Sequence, residues 1–187
     1  MAALLLSALP VFAQQRADEP IQKRLQAYFE ATENKEWESV IDMIHPPLIA
    51  MSGREEMLQM FNDMEGNGMV FNMSKFGIKQ ISPVFVHEEQ RYAQVDYAAQ
   101  MSIQFTSEAY KAPEIVEQLR TNFEQNYGEQ NVLYEAESNT FLITADKAMY
   151  AIAATDEGAD WYFMEKESAP QVITQLIPEE VQAHFKE

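Results

Sequence analysis

The hydrophobic residues in the first third of the chain recur with the period of an α-helix. One apolar stripe runs from Ile21 to Phe29, and a second runs from Trp37 to Ile44 after a polar break. Because positions three and four apart share one helical face, the two stripes predict a helical hairpin over residues 20–45. We expect it to begin near Asp18 and to end at the two prolines that follow, since a proline disfavours helix for the preceding residue.

The next segment predicts a short strand and then a third helix. Residues 48–51 are long enough only for a strand stub, and Ser52 and Glu55 have the spacing of a capping box. We therefore expect the third helix from about Arg54 to Met64. Six methionines lie between Met51 and Met73. Clustered thioethers can bind Cu(I), but their helical spacing favours adaptable core filling or a pocket lining.

Beyond the third helix the hydrophobic period changes from helical to alternating. Residues 70–86 read as a bent strand, and residues 91–106 form the clearest two-faced strand of the chain. One face of the latter is apolar, and its members are Val95, Tyr97, Ala99, Met101, Ile103 and Phe105. The polar residues from Gln94 to Gln104 share the opposite face. This alternation predicts a strand with one buried side and one polar side.

The second half of the chain mixes both periods. A helix is predicted within 107–130, and a last strand is predicted from Trp161 to Lys166. Three shorter strands are predicted near 131–136, 140–145 and 148–154. The tail, residues 168–187, has the pattern of a short helical pair. The sequence thus predicts an α+β protein.

The first residues indicate export. Residues 1–13 contain a short apolar run that ends in the tripeptide Val11-Phe12-Ala13, which is typical of a signal-peptide cleavage site. No basic residue precedes the run, so we interpret this signal peptide as incomplete at its start. Cleavage would leave a product beginning at Gln14, in the periplasm or secreted. No cysteine follows, so we expect no lipid anchor in the membrane.

Composition excludes several classes of function. The 187 residues include 30 acidic and 13 basic side chains, for a net charge of −17. Nucleic-acid binding needs a basic face, so we expect no nucleic-acid partner. The absence of cysteine excludes thiolate catalysis and disulfides. The three histidines have no metal-ligand spacing, and we expect neither a metal nor a cofactor. We assign Glu165 and the neighbouring carboxylates to a generally acidic surface.

The order of these elements resembles the NTF2-like superfamily, which includes the SnoaL-like proteins. The resemblance lies in the segment IQKRLQAYFEATENKEWESVIDM and in the aromatic strand that begins at Trp161. It covers residues 18–106 and 148–167. The family fold implies an α+β cone, in which N-terminal helices pack on a curved antiparallel sheet. We therefore expect an NTF2-like domain over residues 18–167.

The region 107–147 departs from this family pattern. A helix and an extra hairpin stand where a minimal member has a short turn, so we interpret 107–147 as an insertion. The family includes isomerases, dehydratases and non-catalytic binding proteins, so the resemblance alone does not assign a function.

The cone of this fold would supply a pocket. Its expected lining consists of large side chains from the apolar faces of helices and strands. These are Tyr28, Trp37, Met60, Phe61, Tyr97, Met101, Ile103 and Phe105. An isomerase-type site would need a buried carboxylate as its base. Asp96 is the one carboxylate on the two-faced strand, and it belongs to the polar face rather than the apolar one. The pattern therefore gives no acid–base pair and no catalytic residue.

Three functions remain open from the sequence. We favour an exported, non-catalytic pocket domain that binds a small apolar ligand or a protein partner. The alternatives are a cofactor-independent isomerase or dehydratase with Tyr28 as a donor, and an interaction protein that pairs its polar sheet face into a homodimer. A carboxylate or histidine deep in the cone beside Tyr28 would favour the enzyme. A wholly apolar cone would favour binding, and a filled cone would favour interaction.

Overall fold

Helices packed on a curved, open antiparallel sheet of six strands give the protein its α+β class. The computed structural model describes residues 10–66, 68–156 and 158–186, with side chains from Asp18 onward. Most of the predicted signal peptide, residues 1–13, lies outside the described residues.

From residue 10 onward, four helices precede the sheet: α1 (Pro10–Glu33), α2 (Trp37–Ile41), α3 (Pro46–Ser52) and α4 (Arg54–Asp63). Helix α1 begins earlier than predicted, and Pro20 lies inside it, where it removes one backbone donor. The strand stub predicted at 48–51 is wrong, because the segment belongs to α3. Two prolines occupy the first turn of α3, where their fixed φ suits a helix.

The predicted capping box is also wrong. Ser52 is the last residue of α3, and the cap of α4 is Gly53, whose φ of 82° lies in the left-handed region. No side chain donates or accepts a capping hydrogen bond there. Glycine alone tolerates this φ without strain, so it lets two short helices follow each other directly.

The sheet consists of β1 (Met69–Ile81), β2 (Phe85–His87), β3 (Gln90–Phe105), β4 (Val132–Glu135), β5 (Thr140–Ala154) and β6 (Tyr162–Glu165). The strand order is β1-β3-β5-β4, while β2 pairs with β3 and β6 pairs with β5. Long β3 is therefore central, flanked by β1 and β2 on one side and by β5 on the other. Register shifts near Gly77 mark bulges in β1.

One long strand replaces two of the predicted short ones. The segments 140–145 and 148–154 are parts of the continuous strand β5, which pairs with β3 from Thr140 to Ala154. Asp146 and Lys147 interrupt the apolar residues, and this interruption predicts the end of a strand. In the structure the strand continues through them, and the alternation of inward and outward side chains is unchanged. The predicted insertion 107–147 therefore contributes half of a central strand.

Different helices pack on the two faces of the sheet. The inner face of β3 is apolar as predicted, with Val95, Tyr97 and Ala99 all at 1% exposure or less. Helices α1, α2 and α4 pack against it at one end, and α5 (Pro113–Tyr127) packs against it at the other. The tail forms α6 (Pro170–Leu176) and α7 (Glu179–His184). These two helices cover one end of the outer face.

Candidate functional site

A cavity of about 330 Å³ lies between the N-terminal helices and the inner face of the sheet. Its wall is mostly apolar and is formed by Trp37, Val40, Ile44, Leu48, Met57, Phe61, Met64, Phe71, Met73, Met101, Phe163 and Met164. The polar residues of the wall are Tyr28, Thr32, Lys147, Glu165 and Ser168. Helices α1, α2, α3 and α4 supply one side, and the strands β1, β3, β5 and β6 supply the other.

Four of the eight predicted pocket residues line this cavity. They are Tyr28, Trp37, Phe61 and Met101. The Trp37 and Phe61 rings stack with centroids 5.0 Å apart and planes 12° apart, which ties α2 to α4. Each of the four lies on an apolar face that its helix or strand directs toward the core.

The other four predicted pocket residues lie elsewhere. Met60 is 54% exposed, because the buried face of α4 is centred on Met57 and leaves Met60 toward solvent. Ile103 and Phe105 belong to the apolar cluster beneath α5, at the far end of the sheet. Tyr97 is buried behind the cavity wall, where its hydroxyl binds a residue that does line the cavity.

Three adjacent strands bring polar side chains together on the otherwise apolar inner face. Tyr97 of β3 lies opposite Lys147 of β5, and Glu165 of β6 lies opposite Met149 of β5. Because alternate residues of a strand point to the same face, Lys147 and Met149 share the side on which Tyr97 is buried. The sheet register thus sets a tyrosine, a lysine and a carboxylate side by side.

Glu165 is the centre of this polar cluster. The Tyr97 hydroxyl donates a hydrogen bond of 2.5 Å to Glu165 Oε1. The Lys147 ammonium lies 3.8 Å from Glu165 Oε2 and donates a 2.5 Å bond to Glu167 Oε2. Glu165 Oε2 is buried and accepts no hydrogen bond within the described part of the chain. One oxygen of the carboxylate is therefore hydrogen-bonded, and the other has only the ion pair with Lys147.

The surroundings shift the acid–base behaviour of this cluster. Burial raises the pKa of Glu165 above its usual value, and the nearby Lys147 ammonium opposes that shift. About 31% of the Glu165 side-chain surface remains accessible, so the group is only partly removed from solvent. Burial, followed by the Glu165 charge, raises the pKa of both Tyr28 and Tyr97. Both phenols therefore stay protonated donors at neutral pH.

Tyr28 faces the cavity from α1. Its ring contacts Phe163 of β6, with centroids 5.4 Å apart and planes tilted by 54°. Among the described residues, no hydrogen bond involves the Tyr28 hydroxyl. Tyr28 and Glu165 thus border the same cavity, one with an unused donor and the other with an unused acceptor.

The sequence interpretation missed Lys147 and Glu165. Glu165 was assigned to the acidic surface, yet it is two residues from buried Phe163 and shares its face of β6. Lys147 is in phase with Ile143, Ala145 and Met149 on β5. The alternation of side chains along a strand could have identified both residues. Each charged residue stands at a position where that alternation directs the side chain toward the apolar face.

No protein-family model matches the sequence, and no curated protein matches it. Among the described residues, no helix is long and apolar enough to cross a membrane. The same residues contain no group of three or more histidine, aspartate or glutamate side chains that could hold a metal ion.

Proposed function

We propose that this protein binds a small, largely apolar molecule in the cavity between its N-terminal helices and its sheet. The observation that carries the proposal is a cavity of about 330 Å³ with an apolar wall and a few grouped polar atoms. That space equals roughly eleven water molecules at about 30 Å³ each. Ligand pockets have this combination of apolar walls with a few oriented polar groups.

The methionines of the wall support a ligand site rather than a rigid core. Four of them border the cavity from the helices and the inner face of the sheet: Met57, Met64, Met73 and Met101. Unbranched thioether side chains adapt to irregular shapes and contact aromatic rings favourably. The aromatic partners are also present, since Trp37 and Phe61 border the same space. Such a wall suits an apolar or aromatic ligand of variable shape.

Native mass spectrometry of protein purified from its natural source tests this proposal. A retained small molecule should appear as a mass increment that is lost on unfolding, and the same spectrum reports the oligomeric state. In the variant Met64→Trp, a larger side chain enters the cavity from the end of α4, and the increment should disappear. The matched control is Met60→Trp on the same helix, whose side chain points to solvent.

Two results would contradict the proposal. One is a spectrum of the natural protein without any increment, followed by failure of every apolar probe to bind. The other is equal retention in the Met64→Trp and Met60→Trp variants, which would place the bound molecule outside the cavity.

A second candidate function is acid–base catalysis without a cofactor. The observation that favours it is Glu165, a carboxylate in an apolar cavity that Tyr28 also borders. A carboxyl in an apolar cavity can act as a general acid or base, while a protonated phenol can donate a hydrogen bond to a carbonyl oxygen. If a retained molecule is identified, the natural protein should convert it or its isomer, and Glu165→Gln should bind it without conversion. Equal conversion by both proteins would exclude this role.

We also propose that the domain has the NTF2-like cone arrangement. Helices packed on the inner face of a bent antiparallel sheet support this assignment, as does the early position of α1 and α2. We also propose that the protein is exported. N-terminal sequencing of the natural protein should then show a chain that begins near Gln14. Retention of residues 1–13 in a cytoplasmic fraction would contradict it. Sheet-mediated dimerisation through the polar residues Gln94 to Gln104 stays a prediction.

A further inference from the structure

Two polar atoms at the cavity wall have unused hydrogen-bonding capacity of opposite kinds. Glu165 Oε2 is buried without a hydrogen-bond partner among the described residues. The Tyr28 hydroxyl, on the facing helix α1, is likewise unused by the described residues. A buried polar atom without a hydrogen-bond partner costs free energy, so a ligand that donates to Glu165 Oε2 gains affinity there, and a hydrogen bond from Tyr28 adds to it.

We propose that the ligand is an apolar molecule that carries a hydroxyl group, bound between Glu165 Oε2 and the Tyr28 hydroxyl. The inference rests on the proposed binding function and adds the chemistry of the ligand's polar end. A hydroxyl donates one hydrogen bond and accepts others at a single oxygen. It therefore donates a hydrogen bond to Glu165 Oε2 and accepts one from the Tyr28 hydroxyl, while its apolar part contacts the methionines and aromatic rings.

The position of Lys147 argues against a cationic group at Glu165 Oε2. Lys147 Nζ already lies 3.8 Å from Glu165 Oε2, the same atom that the ligand would contact. A second ammonium at that oxygen would be close to Lys147 and repelled by it. An ammonium also has no lone pair for the Tyr28 hydroxyl.

The same cluster argues against an anionic ligand. Glu165 and Glu167 both bind the single ammonium of Lys147, so the cluster carries two carboxylates for one cation. A carboxylate ligand could accept from Tyr28 but would face Glu165 directly. A hydrocarbon would leave both polar atoms unsatisfied. Of the ammonium, carboxylate, hydrocarbon and hydroxyl groups compared, the hydroxyl is the one that can bond to both atoms.

A matched set of probes with one carbon skeleton tests the inference by isothermal titration calorimetry at pH 7. The probes are 4-phenylbutan-1-ol, its methyl ether, butylbenzene, 4-phenylbutylammonium and 4-phenylbutanoate. The alcohol should bind at least about thirtyfold more tightly than butylbenzene, as expected for one hydrogen bond to a charged group and one to a neutral group. The ether retains the acceptor and lacks the donor, so it should lose the contribution of Glu165. Both ions should bind more weakly than the alcohol.

The variant Tyr28→Phe provides the second measurement. It removes the donor and keeps the ring against Phe163, so the advantage of the alcohol over butylbenzene should fall several-fold while butylbenzene binds as before. The control is Tyr150→Phe, whose ring belongs to the cluster beneath α6 and α7 on the outer face. That variant should leave every probe unchanged.

Each other result overturns a defined part of the account. Equal affinities of alcohol, ether and butylbenzene would overturn the hydroxyl site and leave the cavity as an apolar binding site. If the ammonium or the carboxylate bound most tightly, the polar group of the ligand would be that ion and not a hydroxyl. An alcohol preference that survives Tyr28→Phe would remove Tyr28 from the site. Failure of all five probes would count against the proposed binding function itself.

Discussion

The Tyr97 hydroxyl donates a 2.5 Å hydrogen bond to Glu165 Oε1 and thereby joins two strands that are not neighbours in the sheet. Tyr97 lies on β3 and Glu165 on β6, and β5 runs between them. The bond crosses the inner face of β5 beside Lys147. It fixes the carboxylate at the cavity wall, because a side chain held at one oxygen cannot turn freely.

Loss of this bond should destabilise the protein measurably. Tyr97→Phe removes one hydroxyl and leaves Glu165 Oε1 without its donor, which should lower the free energy of unfolding by about 1–3 kcal/mol. Urea denaturation measures the change. The control is Tyr162→Phe on β6, a half-buried tyrosine on the outward side, for which we expect about 0.5 kcal/mol or less. Equal effects of the two variants would show that the bond contributes nothing.

Lys147 should stabilise the fold through Glu165 and Glu167. Lys147→Met keeps the length of the side chain and removes the charge, so two carboxylates remain without their cation. The free energy of unfolding should fall on the order of 2 kcal/mol, less than for a fully buried pair because Glu165 is partly accessible. Since the pKa of Glu165 is raised in the folded state, the loss should be larger at pH 8 than at pH 5.

Lys79→Met is the matched control for Lys147→Met. Lys79 pairs with Asp146 at 2.5 Å, with side-chain exposures of 48% and 73%. Exposed pairs contribute about 0–1 kcal/mol, and the control should show no comparable dependence on pH. A loss in Lys147→Met no larger than in the control would contradict the role of the cluster.

His45 should make the fold sensitive to acid. Burial lowers the pKa of His45 to about 4 in the folded protein, whereas the unfolded chain has an ordinary histidine. The unfolded state therefore takes up the proton first as the pH falls. Stability from this group is complete above about pH 6.5 and should decrease by about 2 kcal/mol between pH 7 and pH 5.

A variant without the imidazole isolates this contribution from the many carboxylates. His45→Leu retains the backbone bond of 2.9 Å from the His45 N–H to the carbonyl of Phe163. Its free energy of unfolding should fall less steeply with acid than that of the natural protein. Identical pH profiles for the two proteins would mean that His45 titrates normally in the folded state.

The alternation of β3 predicts opposite consequences for neighbouring residues. Met101 is 9% exposed on the inner face, and Gln100 is half-buried on the polar face. Met101→Asp places an unpaired charge in the apolar interior and should unfold the domain, whereas Gln100→Asp should cost on the order of 0.5 kcal/mol. Circular dichroism and thermal unfolding distinguish the two variants. Similar midpoints would contradict the assignment of Met101 to the buried face and Gln100 to the polar face.

The sequence predicts well where one periodic pattern dominates a segment. The face of β3 from Val95 to Phe105 and the helical stripe from Ile21 to Phe29 both follow from local spacing, because burial repeats with the geometry of the element. Residues that two or more strands bring together are a different case. The contact of Tyr97 with Glu165 depends on the register of β5 and β6, which no local pattern specifies.

Short segments and isolated charges account for the errors. The prolines at the start of α3 begin that helix, whereas α2 already ends at Ile41, so the end of helix predicted at the prolines is wrong. Lys147 reads as a break in an apolar strand, although the pairing of β5 with β3 continues through it. A charge at an inward position can mark either the end of a strand or a polar group within the core. Tertiary contacts decide between them.

The most direct test of the cavity as a ligand site is the methyl NMR spectrum of methionine-labelled protein during titration with 4-phenylbutan-1-ol. Binding in the cavity should change the chemical shifts of the methyl groups of Met57, Met64, Met73 and Met101, which border it from the helices and the inner face of the sheet. The methyl groups of Met51 and Met60, both exposed, should stay unchanged. Shifts confined to the exposed methionines, or no shifts at saturating alcohol, would contradict the central claim that this cavity binds a small apolar molecule.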